Sequence, residues 1–224
     1  MNLDYLHLGC GLCSPPGWLN VDGSLQVVLA RHRWAKSLLI KLRILPASRA
    51  ATIWGANIVR LNLTRPLPFS TGQFKAVYSS HTLEHLYRAD ARRLLGECLR
   101  VLHPAGICRI VVPDLRAFVD RYLVERGQDI CTAADALMEQ LSTHPRAINR
   151  GLLATYQRLT TYHDHKWMYD GASLSALLED VGFRDISVRG YLDSAIPQVG
   201  DVEQSGRLLE GAGVAVEGRK PTGG

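Results

Sequence analysis

A short apolar run that ends in two closely spaced glycines places the strongest constraint on how this chain folds. The run Leu3–Leu8 leads into Gly9-Cys10-Gly11, and Asp22 follows eleven residues after the second glycine. Glycines at the end of a strand permit a sharp turn and let a ligand approach the backbone with no Cβ in the way. An acidic residue at the end of the next strand is placed to accept hydrogen bonds from ribose hydroxyls. The pattern predicts a nucleoside-bearing ligand at the carboxyl edge of a parallel sheet.

The rest of the chain alternates between apolar runs of strand length and segments of helical periodicity. Further strands are predicted at Trp18–Asp22, Ile58–Leu63, Lys75–Ser80, Ile107–Val112, Ile186–Tyr191 and Val214–Gly218. Helices are predicted at Leu25–Leu45 (one helix or a pair), Asp90–Leu102, Leu115–Val124, Ala133–Leu141 and Ser173–Val181. Such alternation indicates an α/β fold with a parallel sheet. We predict one domain over residues 1–224, with a helical insertion or lid at 115–171.

Cysteine usage and hydropathy indicate the compartment. The five cysteines are an odd number, and several fall in predicted strands or helices, so we expect free thiols in a reducing cytoplasm. Cys10 and Cys13 have the spacing of a redox or zinc pair, but no second pair accompanies them. No apolar run reaches the roughly 18 residues of a membrane span. Because a strand begins almost at the first residue, we expect no signal peptide.

Charge is distributed unevenly, which bears on partners. No acidic residue occurs between Asp22 and Glu84, whereas that stretch contains Arg31, Arg33, Lys36, Lys41, Arg43, Arg49, Arg60, Arg65 and Lys75. A region of one sign attracts anions. One interpretation of this basic stretch is a solvated face beside a small-molecule site. The other is a surface that binds an anionic acceptor or lipid headgroups, with peripheral membrane contact through residues 25–45. Nucleic acid is the least favoured partner because no basic platform interleaved with aromatic residues is visible.

The spacing of the glycine motif argues against a dinucleotide cofactor. A dinucleotide fingerprint places a third glycine at position 14, where this chain has Ser14. It also places the acidic residue about 20 positions onward, whereas Asp22 follows after eleven. A dehydrogenase is therefore disfavoured.

Ordered motifs over residues 3–115 resemble the class I S-adenosylmethionine-dependent methyltransferases, specifically the type 11 group. The matching segments are residues 6–11, 16–22, 62–69, 74–86, 98–106 and 112–114. The resemblance implies a Rossmann-like three-layer sandwich, whose seven-stranded, mostly parallel sheet has an antiparallel last strand. It also implies a methyltransferase that uses S-adenosyl-L-methionine and passes the methyl group to an oxygen or nitrogen of a small-molecule, sugar or lipid-linked acceptor.

The resemblance assigns cofactor-binding roles to the residues that match its motifs. Gly9, Cys10 and Gly11 lie against the methionine part of the cofactor, and Asp22 holds the ribose. Asn62 and Leu63 flank the adenine, while Ser79, Ser80 and His81 close over the amino acid moiety. His7, Cys13 and Asn62 depart from the pattern of many members, so the alternative is a non-catalytic partner protein that keeps the cofactor fold.

Histidines are the candidates for the catalytic base, since imidazole titrates near neutral pH. We select His163, His165 and His85, with His81 as a further candidate. The first two lie in a polar and aromatic segment, residues 162–170, that precedes the last helix and is placed to cover the acceptor. They are alternatively a structural pair. A metal site at His163, Asp164 and His165 lacks a clear third ligand, so we expect no metal.

Overall fold

The structure is a computed structural model that describes residues 3–41, 53–128, 131–142, 164–211 and 213–222. Its strands are β1 (Tyr5–Leu8), β2 (Trp18–Asp22), β3 (Ile58–Arg60), β4 (Phe74–Ser80), β5 (Leu102–Val112), β6 (Arg184–Arg189) and β7 (Val214–Arg219). Its helices are α1 (Leu25–Arg31), α2 (Arg33–Lys41), α3 (Arg88–Val101), α4 (Leu115–Gln128), α5 (Ala133–Leu141) and α6 (Gly171–Val181).

All seven strands form one sheet in the order β3-β2-β1-β4-β5-β7-β6. The pairs from β3 to β5 are parallel, whereas β7 runs antiparallel to both β5 and β6. The predicted Rossmann-like sheet with an antiparallel last strand is therefore confirmed. The chain order reverses between β1 and β4, and ligands of open α/β sheets bind in the crevice at such a switch point.

The two faces of the sheet are covered in different ways. On one face the apolar sides of α3 and α6 pack against alternate strand residues, which include Leu6, Leu8 and Ile110. The opposite face carries Trp18, Tyr78 and Val111 and is covered by apolar residues of the segment 196–208. That segment consists largely of short 3₁₀ turns. Its position beside the carboxyl ends of the strands brings C-terminal residues to the crevice.

Several boundaries shift by a few residues from prediction, most clearly at β3 and β5. The segment 25–45, predicted as one helix or a pair, forms the pair α1 and α2, which divides at His32, and its residues 42–45 lie outside the described chain. Strand β3 ends at Arg60 rather than Leu63, because the Asn62 side chain accepts the Thr64 amide and closes a turn. Strand β5 begins at Leu102 rather than Ile107.

The early start of β5 places Pro104–Gly106 inside the strand rather than after α3. The strand pairs Leu102 with Phe74 and then Ile107 with Ala76, so four residues of β5 between these pairs lie opposite one residue of β4. The extra residues form an irregularity in which Ala105 takes a positive φ of 61°. Helix α3 therefore ends directly into the strand at Val101.

Helices α4 and α5 lie between β5 and α6, within the region 115–171 for which an insertion is predicted. Residues 143–163 of that region lie outside the described chain. Among the helices that the structure describes, none combines the length and apolar character needed to cross a membrane.

Candidate active site

The loop after β1 turns on two glycines in the left-handed backbone region. Gly9 has φ 66° and Gly11 has φ 55°. A Cβ on Gly9 would lie 1.9 Å from Thr82 Oγ1, so this glycine also permits the close approach of the chain that leaves β4. Among the described residues, no atom lies within 4 Å of the position that a Cβ on Gly11 would take. The loop is therefore packed on the protein side at Gly9 and open at Gly11.

Asp22 ties this loop to the end of β2. One carboxylate oxygen accepts the Gly11 amide at 2.9 Å and the other accepts the Ser24 amide at 2.7 Å. The Cys10 amide donates to the Val21 carbonyl at 3.0 Å, which joins the two strand ends once more. An ionised carboxylate has about four acceptor positions. Asp22 therefore keeps capacity for ribose hydroxyls while it shapes the loop.

The two residues predicted beside adenine have different surroundings. Asn62 is exposed, and its side-chain oxygen accepts both the amide and the hydroxyl of Thr64, at 2.9 and 2.8 Å. Leu63 is buried and packs with Leu67 in the core formed with α3. The Asn62 amide nitrogen is thus the polar group of this pair that remains for an adenine edge.

The exit of β4 brings buried polar side chains to the crevice. Ser79 and Ser80 are 2% and 6% exposed, and neither hydroxyl has a hydrogen-bond partner among the described residues. His81 follows in a left-handed conformation with φ 50°, and its amide donates to the Val111 carbonyl at 2.9 Å. Buried hydroxyls are seldom left unpaired. Their lack of a protein partner is consistent with a polar ligand at this strand end.

Arg207 is a cation at the same place that the sequence analysis did not select. Its Nη1 lies 3.4 Å from the Ser80 carbonyl, and its own carbonyl lies 3.1 Å from His81 Nε2. Because a carbonyl can only accept, Nε2 of His81 carries the hydrogen. Burial, and secondarily the nearby Arg207 charge, lower the pKa of His81. No motif marks Arg207, since it lies beyond the matched segments and reaches the site through folding alone.

The positions that depart from the family pattern do not close the crevice. His7 is 2% exposed and packs edge-on against Tyr78, at 5.3 Å between ring centroids. Burial lowers its pKa to about 4, and the Arg207 charge adds to that effect. Cys13 contacts the Asp201 and Val202 carbonyls at 3.7 and 3.8 Å and so joins the loop to the segment that covers the sheet.

A second polar cluster surrounds Glu84, just after β4. The Glu84 side chain is fully buried, and neither carboxyl oxygen has a hydrogen-bond partner among the described residues. Burial raises the pKa of Glu84 to about 8. Oε1 lies 3.5 Å from Nδ1 of His81 and 3.9 Å from Nε2 of His85. A carboxyl group in these surroundings requires either a proton or a cation.

His165 reaches the same cluster from the segment before α6. Its ring lies 5.0 Å from that of His85, and the ligand atoms of Glu84, His85 and His165 all lie within 4.8 Å of one another. Of the three predicted catalytic histidines, His85 and His165 are thus brought together, whereas His163 lies outside the described residues. Glu84 was missed as a site residue because its partner is about 80 residues away in sequence.

The crevice suits S-adenosylmethionine. The open space at Gly11 admits a ligand against the backbone, the Asp22 carboxylate retains acceptor capacity, and the Ser79 and Ser80 hydroxyls have no hydrogen-bond partner in the part of the chain that the structure describes. These features lie at the carboxyl ends of β1, β2 and β4, which are adjacent in the sheet.

Comparison with known proteins agrees with this geometry. A type 11 family model, described as a methyltransferase domain, matches residues 6–110. A solved S-adenosylmethionine-dependent methyltransferase from Thermotoga maritima aligns with 96% of this chain and 81% of its own length, at 16% identity and a TM-score of 0.52. Another from Archaeoglobus fulgidus aligns with 96% and 85%, at 19% identity and a TM-score of 0.49. No curated protein gives a significant sequence match.

The Thermotoga maritima likeness establishes the fold, and the family model adds the glycine loop, β2 and the exit of β4 in the expected order. The cofactor predicted from the sequence is thereby confirmed. Residues 6–110 match the type 11 methyltransferase domain, and the chain has the fold of the class I S-adenosylmethionine-dependent methyltransferases.

Proposed function

We propose that the methyl group passes to an oxygen or nitrogen of a small-molecule, sugar or lipid-linked acceptor that binds beside Glu84, His85 and His165. The observation that carries this proposal is the junction between the two clusters. Thr82, which contacts Gly9 of the cofactor loop, lies two residues before Glu84. An acceptor held by the Glu84 cluster therefore lies next to a cofactor held by the loop.

The reaction is an in-line displacement. When bound, S-adenosylmethionine supplies a methyl group on a positively charged sulfur; the acceptor's lone pair bonds to the methyl carbon as the carbon–sulfur bond breaks and sulfur keeps the electron pair. The chain's contribution is to align the two partners and to provide for the acceptor's proton. His85 and His165, together with His81 at the strand exit, are the groups that we assign to the acceptor.

We further assign the cofactor contacts residue by residue. The backbone of Gly9, Cys10 and Gly11 faces the methionine part, and the Asp22 carboxylate holds the ribose. Asn62 meets the adenine edge through its amide nitrogen, with Leu63 supporting it from the core. Ser79, Ser80 and His81 close over the amino acid moiety, and Arg207 pairs with its carboxylate. The described end of the predicted insertion, at residues 164–171, lies beside the acceptor, because the Lys166 amide donates to the Glu84 carbonyl at 2.6 Å.

Calorimetry with S-adenosylhomocysteine tests the cofactor site, with Asp22→Ala as the variant and Asp180→Ala as the control. Asp180 is 63% exposed and lies on α6, away from the crevice. We expect Asp22→Ala to weaken binding at least about tenfold, since hydrogen bonds to a charged group contribute about 1.5–3 kcal/mol, and the control to bind as wild type does. Unchanged affinity in Asp22→Ala would reject the ribose assignment.

A mass-spectrometric screen tests the acceptor class. The protein is incubated with the methyl donor and extracts of small molecules, glycans and lipids, and each fraction is searched for products that gain one methyl group. We expect a product in at least one class, with the new methyl on oxygen or nitrogen, and no product with His165→Ala. Methylation of carbon alone would contradict the proposal.

The basic and apolar surface of α1 and α2 favours an anionic or lipid-linked acceptor. Trp34 and Leu38 on α2 are 73% and 49% exposed, and Lys41 at its end is exposed. Exposed apolar and basic side chains on one helix are typical of contact with an acidic membrane surface. Arg31 is a poor variant for testing this surface, because its guanidinium donates to the Ile58 carbonyl at 2.7 Å.

Sedimentation with anionic phospholipid vesicles tests this surface. We expect wild type to sediment with them, and the double variant Trp34→Ser with Leu38→Ser to lose that binding. Leu123→Ser is the control, since Leu123 is 57% exposed on α4. Equal sedimentation of all three proteins would reject membrane contact through residues 25–45.

A further inference from the structure

We infer that Glu84, His85 and His165 bind one divalent transition-metal cation, for which Zn²⁺ is the best probe. Two histidines and one carboxylate form a known three-ligand set for catalytic zinc. The three ligand atoms lie within 4.8 Å of one another. Ligands at about 2.0–2.2 Å around a tetrahedral ion are separated by about 3.4 Å. A modest contraction of the cluster therefore brings all three to one ion.

The buried carboxyl group supplies an independent observation. Glu84 is fully buried, and both of its oxygens lack hydrogen-bond partners among the described residues. Its separation from His85 Nε2, at 3.9 Å, exceeds the length of a hydrogen bond. Glu84 and His85 are thus too far apart to form a hydrogen bond with each other but close enough to bind the same cation. A bound cation removes the cost of burying the carboxylate.

The surroundings orient the ligands as the outer groups of metal sites do. His85 Nδ1 lies 3.4 Å from the Asp164 carbonyl. Since a carbonyl only accepts, Nδ1 carries the hydrogen, and Nε2 of the neutral ring directs its lone pair toward the cluster. The Glu84 carbonyl accepts the Lys166 and Trp167 amides, and the His165 amide donates to the Ser142 carbonyl at 3.0 Å. Backbone contacts thus hold both segments in place around the cluster.

Three protein ligands leave a coordination position open to a small molecule. The assignment of that position to the acceptor oxygen rests on the proposed function, whereas cation binding does not. Glu84 and His85 are neighbours in the sequence, whereas His165 comes close to them only through the fold. At the sequence level, a metal at His163, Asp164 and His165 was not expected, for lack of a clear third ligand. Glu84 and His85 supply the missing groups beside His165.

Zinc binding by the full chain tests the inference. Metal-free protein is titrated with Zn²⁺ against a chromophoric chelator, and with Co²⁺, whose visible absorption reports the coordination. The variants are Glu84→Gln and His165→Asn, and the control is His103→Ala, because His103 is exposed at the start of β5. We expect one tightly held Zn²⁺ per wild-type chain, at least about tenfold weaker binding in both variants, and wild-type affinity in the control.

Two outcomes overturn the inference: wild type holds no stoichiometric Zn²⁺, or both variants hold it as tightly as wild type does. Circular dichroism verifies that each variant is folded, and His165→Asn, at a partly exposed position, serves if Glu84→Gln does not fold. Binding of S-adenosylhomocysteine is measured on the same samples. Methyl transfer without zinc binding rejects this inference alone, and zinc binding without methyl transfer to an oxygen or nitrogen rejects the proposed function alone.

Discussion

Gly9 and Gly11 share left-handed backbone angles but differ in what surrounds them, and this difference predicts unequal responses to alanine. At Gly9 a Cβ would overlap Thr82 Oγ1. We expect Gly9→Ala to lower the free energy of unfolding by about 2–5 kcal/mol, through overpacking and a disfavoured φ. At Gly11 space is open. For Gly11→Ala we therefore expect the free energy of unfolding to fall by only about 1–2 kcal/mol, from the disfavoured φ alone.

Urea denaturation measures both changes, with Gly96→Ala as the matched control. Gly96 lies within α3, and no atom approaches the position of its Cβ. We expect that variant to be about 0.5–1 kcal/mol more stable than wild type. Equal losses at Gly9 and Gly11 would show that contact with Thr82 does not constrain the loop.

The lowered pKa of His7 predicts that the protein loses stability in mild acid. Burial lowers its pKa to about 4 from 6.5, with a further contribution from Arg207, while Asn20 opposes the shift. His7 is therefore protonated below pH 6.5 in the unfolded chain, but only below about pH 4 in the folded chain. Stability contributed by neutral His7 is present above pH 6.5 and falls by about 3 kcal/mol as the pH reaches 4.

Unfolding free energies measured between pH 7 and pH 4 test this prediction. His7→Leu removes the titrating group, so its stability should decline less steeply than that of wild type over this range. His103→Leu, at an exposed position, should follow wild type. Parallel curves for wild type and His7→Leu would contradict the predicted shift.

Which site residues the sequence can reveal depends on how close their partners are along the chain. Gly9, Gly11 and Asp22 were predictable, because their spacing within one strand–loop–strand unit already specifies a ligand-binding loop. Glu84 and Arg207 were not. The role of Glu84 depends on His165, and that of Arg207 on Ser80 and His81, and each of these contacts joins distant parts of the chain.

Among the elements, β5 is tied to the C-terminal segment by a buried ion network. Arg109 on β5 is fully buried and donates to both oxygens of Glu203, at 2.8 and 3.0 Å, and to Glu217 on β7 at 2.9 Å. Glu203 also accepts the Leu192 amide at 2.6 Å. We expect Glu203→Ala to cost about 3–5 kcal/mol, because it removes two charge-assisted hydrogen bonds of buried Arg109, which keeps only Glu217 as a carboxylate partner, and leaves the Leu192 amide without its acceptor.

The exposed pair of Arg116 and Asp120 on α4 provides the comparison. Its side chains are 73% and 53% exposed, with 2.8 Å between nitrogen and oxygen. We expect Asp120→Ala to change the unfolding free energy by less than about 1 kcal/mol. Chemical denaturation of both variants gives the two values. A loss below 1 kcal/mol in Glu203→Ala would show that the network does not stabilise the fold.

Element boundaries were predictable where local chemistry decides them. Strand β2 and helix α5 begin and end at the predicted residues. At β3 the boundary depends on a side-chain turn that strand periodicity does not reveal, and at β5 it depends on pairing with a distant strand. The turn at Asn62 shortens β3, while pairing of Leu102 with Phe74 extends β5 backward past a proline. The periodicity of one strand's sequence reveals neither the Asn62 turn nor the pairing of Leu102 with another strand.

At the scale of the whole molecule, the N-terminal glycine loop and the segment 199–207 meet at the crevice. The family model stops at residue 110, yet the segment 199–207 lies against the cofactor loop through Cys13 and against the exit of β4 through Arg207. The same segment is fixed to the sheet through Glu203 and Arg109. We therefore expect a ligand at the glycine loop to affect the segment 199–207, which no motif identifies.

Hydrogen exchange with and without S-adenosylhomocysteine tests this coupling. We expect slower exchange in residues 9–24, where the ligand binds, and also in residues 199–208, because the segment contacts the loop and the end of β4. Amides of α6, which packs on the opposite face of the sheet, should exchange at unchanged rates. Arg207→Gln should reduce the protection of residues 199–208, whereas Arg116→Gln should not. Protection confined to residues 9–24 would show that the segment covers the sheet without taking part in cofactor binding.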